Sequence, residues 1–238
     1  MRTLEKPKGF CKNRRGLYVP EDRLRFNNVA MLQSGRFPPP AGGGITIFTG
    51  AANLTKPSGL INGDAVIIML DSTAGGAACA GFTNIGSIKV ENFAGGYCVV
   101  LIKNNVTAAS EPATYTITGA TVFGKGITKV RGQDTTTFLS GSVTTLYNSS
   151  SSTITFPAVT PAHNDTAMFC VAAYWNSQSD YGTPSTFTRI FQDLATGDNA
   201  SGHAKVLTGG AGASTGTKTA TATGATESGA ISFCIKPA

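Results

Sequence analysis

Apolar and polar positions alternate every second residue in many short stretches of this chain, between clusters of turn-forming residues. Thr114-Tyr115-Thr116-Ile117-Thr118 is the plainest case, with threonines on one face and Tyr115 and Ile117 on the other. Other stretches are apolar at every position. Val66-Ile67-Ile68-Met69-Leu70 is one, and it predicts a strand covered on both faces at the centre of a sheet. The pattern predicts strands at 45–49, 65–71, 87–91, 97–103, 114–118, 127–131, 142–147, 153–156, 167–175, 186–191, 204–207, 217–223 and 230–235. No segment carries a capped 3.6-residue period. Many short strands closely spaced between turns predict an all-β fold, an antiparallel β-sandwich of jelly-roll-like kind preceded by an extended N-terminal arm.

The body of the chain echoes itself. Gly63-Asp64-Ala65-Val66-Ile67 is similar to Asn164-Asp165-Thr166-Ala167-Met168, an offset of 101 residues. Thr114-Tyr115-Thr116-Ile117-Thr118-Gly119-Ala120 matches Thr219-Ala220-Thr221-Ala222-Thr223-Gly224-Ala225 at 105, and a last strand follows each at about 104. Two readings account for this: an internal pseudo-repeat within one sandwich, or the likeness that threonine-rich alternating strands share by composition.

Charge divides the chain more sharply than hydropathy. Residues 1–40 hold nine basic and three acidic residues, and residues 41–238 hold ten of each, so the net +6 belongs to the first forty alone. Pro38-Pro39-Pro40 followed by Gly42-Gly43-Gly44 is a stiff spacer joined to a loose one, which places a hinge reaching to residue 44 and a single domain over 45–238. Within the arm, basic residues alternate with large apolar ones. Phe10, Arg14, Arg15, Tyr18, Arg23, Arg25 and Phe26 are the residues expected to dock on a partner protein, the aromatics as anchors and the arginines as charge. Nucleic acid is the lesser expectation for the same peptide. Only 13% of residues are charged, about half the usual share. That excludes a coiled coil, and it lowers the repulsion between copies packed side by side. No run of apolar residues is long enough for a membrane-spanning helix, and the first ten residues lack the apolar stretch of a secretory signal.

Chemistry is hard to find. Five cysteines (Cys11, Cys79, Cys98, Cys170, Cys234) form no C-x-x-C pair, and three sit in apolar runs, so reduced, structural thiols are expected and no zinc site. His163 and His203 flank predicted strand starts, where a loop or surface position is the ordinary reading, and no G-x-S-x-G elbow accompanies them. Asp64, Asp165 and Asp134 are read as turn formers. No catalytic residue, metal or cofactor is assigned. Trp175 and Tyr181 are candidate contacts for a sugar, with Tyr174 beside them; the alternative for Tyr174-Trp175 is core packing at a strand end.

Residues 60–238 resemble a β-sandwich module recurrent in tailed-phage virion proteins of the tail-fibre, minor-tail and head-decoration kinds. The residues that carry this are Gly63-Asp64-Ala65-Val66-Ile67, Ala109-Ser110-Glu111-Pro112-Ala113-Thr114-Tyr115-Thr116, Arg131-Gly132-Gln133-Asp134, Asn164-Asp165-Thr166 and the closing Gly229-Ala230-Ile231-Ser232-Phe233-Cys234-Ile235-Lys236-Pro237-Ala238. Val130 stands where that pattern usually has an aromatic. The resemblance implies a virion part, not an enzyme. It would be assembled in the host cytoplasm, homo-oligomeric with a trimer favoured, held to other virion proteins through its arm and able to meet a host surface glycan. A tail location is favoured. Capsid decoration and a free carbohydrate-binding module are the alternatives.

Overall fold

The run that is apolar on both faces, residues 65–72, forms the middle strand of a five-stranded sheet in the computed structural model, which describes residues 10–12, 18–20, 44–90, 96–175, 182–194 and 198–238. Contacts divide the chain into two units, Met1–Ala41 and Gly42–Ala238. In the first, β1 (Phe10–Lys12) and β2 (Tyr18–Pro20) pair as an antiparallel hairpin with Cys11 opposite Val19, an element the sequence pattern did not predict.

The second unit carries β3 (Thr46–Ile47), β4 (Ala65–Ser72), β5 (Ala78–Cys79), β6 (Thr83–Lys89) and β7 (Tyr97–Lys103). A 3-10 turn (Ala108–Ser110), β8 (Ile117–Thr118) and β9 (Val122–Arg131) follow. The second half of the chain adds β10 (Thr144–Phe156), β11 (Ala167–Trp175), β12 (Thr188–Asp193), β13 (Asp198–Val206) and β14 (Lys218–Ile235). One sheet has the order β3-β9-β4-β7-β6, the other β10-β14-β11-β13-β12, and β5 pairs with β8. The pairings are antiparallel throughout, and the two sheets stack as an all-β sandwich.

Each half of the chain completes its own sheet, and the two sheets are built alike. Ranked by their order within each half, the strands lie first-fifth-second-fourth-third in both. The registers also coincide. Ala65 opposes Val130 in one sheet as Ala167 opposes Ile235 in the other, and Ile67 opposes Ile102 as Phe169 opposes Ala204. The third strand even carries its bulge at the same place, between Asn84 and Gly86 in β6 and between Arg189 and Phe191 in β12. Contacts between the sheets come in exchanged pairs, β9 against β13 and β12, β14 against β7 and β6. The internal repeat is therefore structural, at offsets of 102 for β4/β11 and β7/β13 and 105 for β6/β12 and β9/β14. The offset of 101 that aligns Asp64 with Asp165 is one residue out. It would match Ile67, which faces the sandwich interior, with Met168, which faces away from it, because a slip of one residue reverses every face of a strand. The Thr114–Ala120 match has no structural counterpart either, since β8 pairs with β5 whereas the 219–225 stretch belongs to β14 and pairs with β10.

The interior between the sheets is apolar. Ile67, Met69 and Val100 meet Phe169, Val171, Ile231 and Phe233, and the rings of Phe169 and Phe233 stack 5.2 Å apart. Each such side chain taken from water contributes about 1.5–3 kcal/mol. The outer faces are covered too. Val66, Ile68, Leu70, Val99 and Leu101 lie under the segment that carries Tyr115, and Met168, Cys170 and Tyr174 lie under Ile154 and Phe156. That second cover arises from a long ribbon. The 217–223 and 230–235 strands expected separately are one strand, β14, and 142–147 and 153–156 are likewise one, β10. β14 stays paired with β10 beyond Glu227, its last partner on β11. Register shifts between Asn148, Ser151 and Thr153 mark bulges, which bend such ribbons. The bent end returns Phe156 to the outer face of its own sheet.

Candidate functional site

The residues expected to dock the arm divide between described and undescribed parts of the chain. Phe10 opens β1 and Tyr18 opens β2, where Tyr18 opposes Lys12. Arg14, Arg15, Arg23, Arg25 and Phe26 lie outside the described residues. Of the aromatics considered for sugar contact, Trp175 is the last residue of β11, in register with Asp198 and Glu227, and Tyr181 lies outside the described residues. Tyr174 is completely buried in the apolar cluster under Phe156, so the core reading holds for it.

Three of the motifs that carried the resemblance, through Asp64, Arg131, Gln133, Asp134 and Lys236, gather into one lock. Asp64, 1% exposed, takes the Arg131 guanidinium in a fork, Nε to Oδ1 at 2.7 Å and Nη2 to Oδ2 at 2.8 Å. It also accepts the Ile61 N–H, as a turn-forming aspartate does. Gln133 donates to the Gly63 carbonyl, and Asp134 accepts the N–H groups of Thr136 and Thr137 and pairs with Lys236 at 2.7 Å. Hydrogen bonds from Lys236 and the Thr136 hydroxyl hold the Asp134 carboxyl well below the usual carboxylate range. All of these ties hold turns and the last strand together; none leaves a reactive group free.

The two histidines differ. His163 sits in the loop after β10, where the buried Ser140 Oγ accepts the N–H groups of Ala162 and His163 and lies 3.1 Å from His163 Nδ1. With both lone pairs engaged, the hydroxyl proton is what remains for Nδ1, so the pair is a loop clamp and not an activated nucleophile. His203, read from sequence as a loop or surface residue, is instead fully buried within β13. β13 begins six residues earlier than the predicted strand at 204, and the ribbon covers it. The Phe156 ring packs edge-on to the imidazole at 5.9 Å. Burial first, then the nearby Arg189, brings the His203 pKa down to about 4.

His203 belongs to a row the sequence reading missed. Asn199, Ser201, His203 and Lys205 point to the outer face of the second sheet, the first three of them buried. Neither nitrogen of His203 nor the hydroxyls of Ser201 and Ser228 has a hydrogen-bond partner among the described residues. The matching positions of the first sheet, at an offset of 102, are Tyr97, Val99, Leu101 and Lys103. At the Lys205 end of the row lies an open cleft of about 400 Å³, with Pro161, Phe187, Leu207, Ser214 and Lys218 among its lining. Four described cysteines are buried and free; burial raises the Cys170 thiol to about 12 and the Cys234 thiol to about 11, which removes thiolate chemistry. No group of three His, Cys, Asp or Glu residues that could hold a metal occurs among the described residues.

Comparison with protein-family models, with curated proteins and with solved structures found no match to this chain.

Proposed function

We propose that the chain is a structural protein of a tailed-phage particle, in which the basic N-terminal unit docks on another virion protein and the sandwich faces outward. The observation that carries this reading is the coincidence of two divisions. Contacts separate Met1–Ala41 from the rest, and the whole net charge of +6 falls within residues 1–40 of that smaller unit. A small cationic unit beside a large neutral body suits an anchor and the part it presents. The body's sheets are covered on both faces by their own chain, which favours a self-sufficient module that keeps its fold wherever it is attached. Symmetric self-association, with a trimer favoured, is part of the proposal.

The test is deletion of residues 1–40 in the producing phage, followed by immunogold labelling of purified particles with antibody to residues 41–238. Full-length protein should label particles, on the tail for a fibre or appendage and on the head for a decoration protein. The truncated protein should stay folded and be absent from particles. Full incorporation of the truncated form would remove the anchor role, and absence of the full-length protein from every particle would remove the virion reading.

A further inference from the structure

The repeat supplies an internal reference for each residue of the second sheet. Lys103, at the end of β7, is neutralised by Glu111, whose Oε1 lies 2.8 Å from the ammonium and whose Oε2 accepts the Tyr115 hydroxyl at 3.1 Å. Glu111 comes from the connection that follows β7. The counterpart of Lys103 in the second half is Lys205, at the same register position near the end of β13. The connection that follows β13, Leu207-Thr208-Gly209-Gly210-Ala211-Gly212-Ala213-Ser214-Thr215-Gly216-Thr217, contains no acidic residue. Among the described residues, Lys205 accordingly has only the Thr186 hydroxyl, at 3.0 Å. A second ammonium, that of Lys218, lines the same cleft and, among the described residues, is bonded only to the carbonyls of Thr215 and Gly216. The nearest turn acid, Asp165, is exposed, accepts the Gly209 N–H and is not part of the cleft lining.

Two cations thus share a cleft in the place where the other half of the molecule provides its own carboxylate. The walls are of two kinds. Half-buried Leu207 offers apolar surface, with the edges of the largely buried Phe187 and Pro161, and Thr208, Ser214 and Thr215 offer hydroxyls. A ligand matching all of this carries a carboxylate, an apolar ring face and several hydroxyl groups.

We infer that the Lys205–Lys218 cleft binds a carboxylate-bearing sugar unit, its carboxylate taking the position that Glu111 occupies beside Lys103. The carboxylate would bond both ammonium groups, charge-assisted contacts stronger than neutral ones. The sugar ring would lie on Leu207, against the exposed edges of Phe187 and Pro161. This site is distinct from the Trp175–Tyr181 contact expected from sequence, and it stands whether or not the chain is a virion protein.

The test is NMR titration of the full-length protein with D-glucuronate, D-glucose and inorganic phosphate, each at millimolar concentration. Glucuronate should shift the amide signals of residues 205–218, and glucose should not. Lys205→Met and Lys218→Met should each weaken glucuronate binding about tenfold, the scale of one charge-assisted contact. Lys89→Met, which removes an exposed charge on β6, should leave binding intact. Cooperative thermal unfolding of each variant confirms that it is folded. Absence of shifts with glucuronate, unchanged binding in both cleft variants, or phosphate binding as tightly as glucuronate would each overturn the assignment.

Discussion

Gly126→Ala places a methyl group where the Phe191 ring already lies. An ideal Cβ at Gly126 would be 2.2 Å from Phe191 Cδ2 and 2.3 Å from Cε2 and Cγ. Carbon atoms rest at about 3.5–4.0 Å, so the ring must retreat by more than about 1 Å. It has nowhere to go. Phe191 is 5% exposed, and on its other edge the Cβ position of Gly202 is 2.4 Å from Cε1. Glycines from two different sheets therefore hold one ring. Overpacking of a dense core costs about 1–3 kcal/mol, and a ring confined on both edges places this change at the upper end, about 3 kcal/mol. The repeat explains why the glycines are there. The counterparts of Phe191, Gly126 and Gly202 are Gly86, Ile231 and Val100, so bulk on the edge strand in one half is exchanged for bulk on its neighbours in the other. The assay is urea denaturation of the full chain followed by circular dichroism, for Gly126→Ala, Phe191→Leu and the double variant. The double variant should be more stable than the sum of the single effects by about 1–3 kcal/mol, because the smaller side chain vacates the methyl's position. A Gly126→Ala protein within about 0.5 kcal/mol of wild type, or strict additivity in the cycle, would refute the packing argument.

Two further predictions concern charge. His203 is held neutral, with its pKa lowered to about 4 against about 6.5 in the unfolded chain. As pH falls through 6.5 the unfolded state takes up a proton that the folded state refuses until about 4. Stability is therefore full above 6.5 and declines across that window by about 3 kcal/mol from this group. Urea midpoints at intervals from pH 7 down to 4 should show that decline in the wild type and a shallower one in His203→Leu, which copies Leu101 of the other sheet; parallel curves would contradict it. Arg131→Met strips the buried Asp64 carboxylate of its fork. With the Arg131 side chain 35% exposed, the loss belongs at the low end for a broken buried pair, about 3 kcal/mol, and a change in midpoint too small to measure would contradict it.

The strands legible in the sequence were those whose own residues are apolar. The predicted strands at 97–103 and 167–175 coincide with β7 and β11 at both ends, because both are apolar on two faces and stop at polar or glycine residues. The alternation of 114–118 is realised as Tyr115 buried, Ile117 half-buried and the three threonines exposed. What escaped was burial imposed from far along the chain. The first six residues of β13, Asp198-Asn199-Ala200-Ser201-Gly202-His203, look like a loop, yet a ribbon that begins some fifty residues earlier covers them. Asp64 and Arg131 are 67 residues apart, and no periodicity links them. The Lys103–Glu111 pair and the open Lys205 become a contrast only after the registers are superposed, and the true offset of 102 was hidden by an aspartate at 101.

Superposed, the two halves differ in two ways that carry different consequences. The exchange of Phe191, Gly126 and Gly202 for Gly86, Ile231 and Val100 keeps the side-chain carbon count, so it cancels in apolar content and concerns only how the sheets interlock. The replacement of Leu101 and Val99 by His203 and Ser201 does not cancel. It buries hydrogen-bonding atoms with no partner among the described residues, each at a cost of about 1–3 kcal/mol, in a fold whose other half fills the same positions with hydrocarbon. The loss of a Glu111 counterpart beside Lys205 does not cancel either, since it leaves charge unbalanced. Both uncompensated changes fall on the outer face of the second sheet, along one strand that ends at the cleft. A repeat that needed only to fold would have kept the apolar row and the internal ion pair in both halves. With the Lys205–Lys218 cleft as inferred above, recognition would fall on the second half of the repeat.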